Sequence, residues 1–175
     1  MKNIQLFITI ALFLMYSCDN PAKKNIDEVL NGQYIKKDNN GIITVIGHFN
    51  NGERDGQFMY FDTKGKLQTQ ENYVNGKLDD IQLTVHNTGK IKKSINYING
   101  VKEGDYTIFY KTGKLQETGN YKNGQKDGEI IWYYETGQKN IVYTYKNGQL
   151  NGPTKEFSKE GVLINEGSYL NGQKQ

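Results

Sequence analysis

Tyr121-Lys122-Asn123-Gly124-Gln125-Lys126-Asp127-Gly128 is one copy of a pattern that returns along the chain every 24 residues. Its Asn-Gly pair recurs at Asn51-Gly52, Asn75-Gly76, Asn99-Gly100, Asn147-Gly148 and Asn171-Gly172, with no insertion between copies. Two residues before each Asn stands an aromatic: Phe49, Tyr73, Tyr97, Tyr121, Tyr145 and Tyr169. A second Gly follows at Gly56, Gly104, Gly128 and Gly152, with Asp80 as the exception. A third marks the far end of each unit at Gly65, Gly89, Gly113, Gly137 and Gly161.

Each marker has a local physical reason. Asn-Gly between strand-like runs predicts a two-residue type I′ turn, since both central residues need positive φ. Runs such as Asp62-Thr63-Lys64-Gly65-Lys66 read as three-to-five-residue hairpin loops with Gly in the left-handed position. Two turns per 24 residues leave two strands of about seven residues each, close to the usual strand length. The predicted fold is all-β: an elongated single antiparallel meander sheet of stacked 24-residue β-hairpin repeats, with roughly a dozen strands. Five good units run from 49 to 168, a truncated stub covers 169–175, and a degenerate first unit covers 25–48.

These residues resemble the MORN repeat, in its bacterial variant with a Tyr-x-Asn-Gly-x-x-Asp-Gly core. The resemblance covers about 150 of the 175 residues. It implies consecutive hairpins stacked edge to edge into a long twisted sheet. Asp80 for Gly, Asn151 for Asp and the weak unit at 25–48 depart from the pattern and put only local turns in question.

The first 18 residues, MKNIQLFITIALFLMYSC, have the layout of a secretory signal peptide: Lys2, an apolar stretch from Ile4 to Tyr16, and small Ser17. As a helix that stretch is roughly 20 Å long, short of a hydrocarbon core of roughly 30 Å. Cys18, the only Cys, stands directly after it, and Leu14-Met15-Tyr16-Ser17-Cys18 resembles the lipobox of bacterial lipoproteins. Residues 1–17 are therefore expected to be removed, with Cys18 lipidated and 18–24 forming a polar tether. This places the protein at the cell envelope, anchored to a bacterial membrane by lipid.

Composition narrows the function. Net charge is +3 with acids and Lys interspersed, and Arg54 is the single Arg, which argues against nucleic acid. Mean hydropathy is −0.76, low for a deep two-sided core. His48 and His86 are 38 residues apart and read as ordinary strand or surface residues. The acidic column Asp55, Asp79, Glu103 and Asp127 places adjacent copies about 9–10 Å apart, too far for one calcium ion, so turn capping is the better reading. No phosphate-binding Gly motif and no nucleophile–base pairing appears. No cofactor, no metal and no enzymatic activity are expected.

Counting each aromatic as position 0, positions 10, 12 and 18 are regularly apolar, as in Phe61, Val85, Phe109, Tyr133 and Phe157 at position 12. Side chains alternate along a strand, so this even face is the expected structural face. The odd face carries Phe58, Tyr60, Tyr106, Tyr110, Trp132 and Tyr134. These rings read either as a second packing layer made by curling of the sheet, which ranks first, or as an aromatic binding strip. The leading functional expectation is a non-enzymatic envelope module that presents a repeated surface to a protein or envelope polymer. The alternative, implied by the resemblance, is an antitoxin or immunity protein of a toxin–antitoxin pair.

Overall fold

The computed structural model describes residues 29–175. The leader, Cys18, the whole tether at 18–24 and the first four residues of the unit at 25–48 lie outside the described residues.

Sixteen strands follow one another in chain order: β1 (Gly32–Lys37), β2 (Ile43–Asn50), β3 (Glu53–Arg54), β4 (Gly56–Phe61), β5 (Leu67–Val74), β6 (Lys77–Leu78), β7 (Asp80–Val85) and β8 (Ile91–Ile98). Then come β9 (Val101–Phe109), β10 (Leu115–Lys122), β11 (Gln125–Lys126), β12 (Gly128–Tyr133), β13 (Lys139–Lys146), β14 (Gln149–Phe157), β15 (Leu163–Leu170) and β16 (Gln173–Lys174). All belong to one open antiparallel meander sheet. The count exceeds a dozen because three of the outgoing strands are split in two. Position 7 takes a positive φ in every full unit, at Gly56 (φ 74°) and Gly128 (φ 85°) where a two-residue strand is set off, and equally at Gly104 (φ 81°) and Gly152 (φ 128°), where β9 and β14 run through unbroken.

The turn chemistry is uniform. Asn51, Asn75, Asn99, Asn123, Asn147 and Asn171 have φ of 49–51°, and each following Gly is also positive, as a type I′ turn requires. Each of these glycines donates its N–H to a carbonyl of the preceding repeat, from Leu30, Arg54, Leu78, Lys102, Lys126 and Leu150 in turn, at 2.6–2.9 Å. The turn thereby ties neighbouring repeats as well as its own strands. Asp80 keeps the positive φ of the glycine it replaces, at 72°, so that unit retains the fold. The degenerate first unit also forms its hairpin, β1 with β2.

At the opposite end, Gly65 donates to the Asp62 carbonyl and Asp62 to the Lys66 carbonyl, both at 2.9 Å. The same pair of bonds recurs at 86–90, 110–114, 134–138 and 158–162. Each loop shifts the register of its hairpin by one residue, leaving Gln68, Gln116 and Asn140 as bulge residues.

The ranking of the two faces is the reverse of the sequence expectation. The deepest side chains are Phe58 and Ile130, each 1 % exposed, and Tyr106 at 2 %, all at position 9 on the odd face. Positions 10 and 12 on the even face are half-buried at most sites. The cause lies in Gly47 and Gly119, which have ordinary extended backbone and serve no turn. A Cβ on Gly47 would lie 2.7 Å from Phe58 Cζ, and one on Gly119 would collide with Ile130 Cδ1 and lie 2.9 Å from Tyr106 Cε1. Glycine lets a large neighbour lie flat on the strand, so the position-9 side chains close a layer with Ile108 and with Tyr73, Ile95, Tyr97 and Tyr121. The even positions 0 and 22 of those last four fall on this face, against the sequence expectation, because the bulge at position 19 flips the alternation.

Candidate functional site

Trp132 sits near the end of β12, directly opposite Glu117 of β10 on one side and Ile141 of β13 on the other. It is 39 % exposed, and the Tyr143 ring meets it edge-on at 6.2 Å and 86°. Around it lies a groove of about 200 Å³ lined by Tyr110, Gln116, Glu117, Trp132, Tyr133 and Asn140. Gln116 and Asn140 line this groove because they are the bulge residues of two successive hairpins, and a bulge re-aims its side chain out of strict alternation. Tyr110 forms one wall, held by a 2.6 Å bond from its hydroxyl to the Tyr133 carbonyl.

The charge beneath the groove is arranged rather than loose. Glu117 accepts hydrogen bonds at Oε1 from the Tyr106 hydroxyl and from Lys126 Nζ, the latter at 2.7 Å. Lys126 Nζ also stands 5.6 Å and 5.7 Å from the ring centres of Tyr106 and Tyr145, within cation–π range. Burial, then the hydrogen bond to Glu117 and its charge, push the Tyr106 phenol far above its ordinary value, so it remains a donor. The ion pair makes the floor of the groove close to neutral.

A second polar cluster lies two repeats away on the same face. Arg54 Nη1 donates to the Tyr73 hydroxyl, and Tyr73 donates to Glu71 Oε2, each at 2.7 Å. Gln82 Nε2 reaches Glu71 Oε1 at 2.7 Å, and the Arg54 guanidinium lies 5.2 Å over Phe58 and 5.1 Å over Tyr73. The Tyr60 hydroxyl is buried beside this cluster and finds no hydrogen-bond partner among the described residues.

The six aromatic residues expected on the odd face thus divide. Phe58 and Tyr106 are core, removed from any surface because each covers a glycine or a neighbouring strand. Tyr60 is half-buried. Tyr110 and Tyr134 lend their hydroxyls to the next repeat, at Tyr133 and Phe157 carbonyls. Trp132 alone among them presents a broad exposed surface. His86, read as an ordinary residue, has the same linking role as Tyr110, with Nε2 at 2.9 Å from the Phe109 carbonyl. In the acidic column, Asp79 Oδ1 accepts from the adjacent Asp80 N–H at 3.1 Å, whereas Glu103 Oε2 accepts from the Asn123 N–H at 2.7 Å and so caps the turn of the following repeat. Sequence reasoning missed Gln116, Glu117 and Asn140. No sequence marker points to them: the left-handed Gly113 and Gly137 form the bulge that belongs to the loop, and Gln116 and Asn140 are second bulges three residues further along the strand.

A hairpin array of fixed period, tied from repeat to repeat at every Asn-Gly turn and across the central repeats at the opposite end, defines a tandem β-hairpin repeat protein. The chain belongs to the MORN repeat variant family, whose model matches residues 54–75, 102–123, 126–147 and 150–171. The matches keep the 24-residue step and pass over the unit that holds Asp80. MORN repeats are generally associated with binding or scaffold roles. Among solved structures, a chain of the GtfA/B complex bound to UDP and GlcNAc is similar, at TM-score 0.27 and 15 % identity over 64 % of this chain. The match spans 24 % of that chain's length. No curated protein matches the chain.

Proposed function

We propose that the protein is a non-enzymatic interaction module of the cell envelope, lipid-anchored through Cys18, which presents one face of its repeat sheet to a protein or polymer partner. The observation that carries this reading is the groove at Trp132. An indole ring left 39 % exposed beside a groove lined by polar side chains is the kind of residue that dominates binding surfaces. The lipobox-like leader supports the address, and membership of the repeat family supports a binding role.

The test is capture of envelope components by the tagged full-length chain, compared with Trp132→Ala and Cys18→Ala. A half-exposed Trp packed on one side should cost only about 1–2 kcal/mol of stability when truncated, below the 3–5 kcal/mol of a fully buried one. The expected result is a folded Trp132→Ala protein that loses its partner, and a Cys18→Ala protein that loses fatty-acid labelling. Equal capture by wild type and Trp132→Ala would remove the groove from the proposal.

A further inference from the structure

The groove at Trp132 has a chemistry narrower than a general interaction surface. Its strand, β12, is already paired on both sides, with β10 and β13, so no free backbone edge is offered to an added peptide strand. Recognition must come from side chains. Those available are one indole face, two primary amides and a carboxylate whose charge is compensated. The Gln116 and Asn140 amides form no hydrogen bond with other described side chains or backbone. Each offers two donors and an acceptor, which matches hydroxyl groups that both give and take hydrogen bonds. Glu117 is fixed by two bonds to Oε1, which orients Oε2 at no further entropic cost. Lys126 is engaged by that same carboxylate, so the groove holds no uncommitted cation for an anionic ligand. Its volume of about 200 Å³ is below that of pockets for drug-sized molecules, and it suits one six-membered ring.

We propose that this groove binds one ring of a neutral saccharide, with the apolar ring face on Trp132 and the hydroxyl edge on Gln116, Asn140 and Glu117. This rests on the reading of the protein as an interaction module and names its partner as a glycan. A shallow single-ring site binds weakly, with Kd on the order of 10⁻⁴–10⁻³ M, and a surface-anchored array of copies raises the effective affinity.

Trp132 is the only Trp in the chain, so its emission reports the site directly. The full-length chain is titrated with cellotetraose, maltotetraose and chitotetraose, with glycerol as the control polyol. A saturable emission change is expected with at least one oligosaccharide and none with glycerol. Gln116→Ala combined with Asn140→Ala should weaken it about tenfold at unchanged melting temperature, from the loss of two hydrogen-bonding amides. Should the double variant fail to fold, Gln116→Ala alone, at an exposed position, carries the same comparison. No saturable response to any of the three sugars, or a response that the amide variants leave intact, overturns the proposal. Partner capture that needs Trp132 in the absence of any saccharide response would retain the interaction module and discard the glycan. Capture indifferent to Trp132 and to both amides would discard both.

Discussion

Asp80 and Tyr60 are the two residues at which the repeat departs from its own best chemistry. Asp80 holds φ at 72° where the other units place glycine, a conformation that costs a non-Gly residue roughly 1–2 kcal/mol and Asp somewhat less. Asp80→Gly is expected to stabilise the protein by about 0.5–1 kcal/mol, read from the denaturation midpoint. Tyr60 buries a hydroxyl without a partner, and removing an unsatisfied buried polar atom relieves a desolvation cost of about 1–3 kcal/mol. Tyr60→Phe should therefore raise stability by roughly 1 kcal/mol, and a loss of that size would mean that the neighbouring Tyr73 hydroxyl, or water, satisfies the Tyr60 hydroxyl. Gly47 and Gly119 show why the deeper face was hard to read. Large residues recur most regularly on the even face, at positions 10, 12 and 18, so periodicity alone favoured the shallower face. The distinguishing mark was a glycine inside a strand with no turn to make, which signals close approach.

Position 13, the first residue of each long-end loop, shows an exchange between two kinds of bond at the level of the hairpin. Asp38, Asp62 and Ser158 turn inward and cap their own loops, with Asp62 Oδ1 accepting from the Lys64 and Lys66 amides at 2.8 Å and 2.9 Å. His86, Tyr110 and Tyr134 instead reach the carbonyl at position 12 of the following repeat. Central repeats are thus cross-tied where the outer ones are self-capped. Tyr134→Phe should cost about 0.5–1.5 kcal/mol, the usual net value of one hydrogen bond, and should raise amide exchange around Phe157. The hairpins, their turn types and the period were legible because Asn-Gly and left-handed Gly act through local sterics. The groove was only partly legible: Trp132 stood out as a large ring on the less regular face. Gln116 and Asn140 look like unremarkable polar strand residues until the bulge turns them.

Across the whole sheet, five phenols are held above their ordinary value, Tyr60, Tyr73, Tyr97, Tyr106 and Tyr143, with burial the first cause in each. Each keeps its proton in the folded chain at a pH where the unfolded chain has lost it. The difference vanishes below the unfolded value near 10 and grows above it. Stability should be insensitive to these groups at neutral pH and fall steadily as pH rises beyond about 10, measured by urea denaturation at a series of alkaline pH values. A flat profile there would place the five rings in water. The linear strand order also fixes the shape: strands spaced about 4.8 Å apart give a stacking length of roughly 55–60 Å, which small-angle scattering resolves from a sphere.

The glycine N–H bonds that tie each Asn-Gly turn to the preceding repeat also govern how the protein ages. Asn-Gly is the sequence most exposed to spontaneous deamidation, because the unhindered glycine nitrogen can attack the Asn side-chain carbonyl carbon, expel ammonia and close a succinimide that hydrolyses to an acid. In the six repeat turns the nitrogen that would make this attack is committed as a donor at 2.6–2.9 Å and directed at a carbonyl of another repeat, a tie that the three further Asn-Gly pairs, Asn31-Gly32, Asn40-Gly41 and Asn151-Gly152, lack. The folded protein should therefore keep these six amides for far longer than the same chain in urea, with site-resolved peptide mass spectrometry as the measure. Each turn that does convert then records how often its two repeats have parted, and equal rates in folded and unfolded chains would show that the ties do not protect.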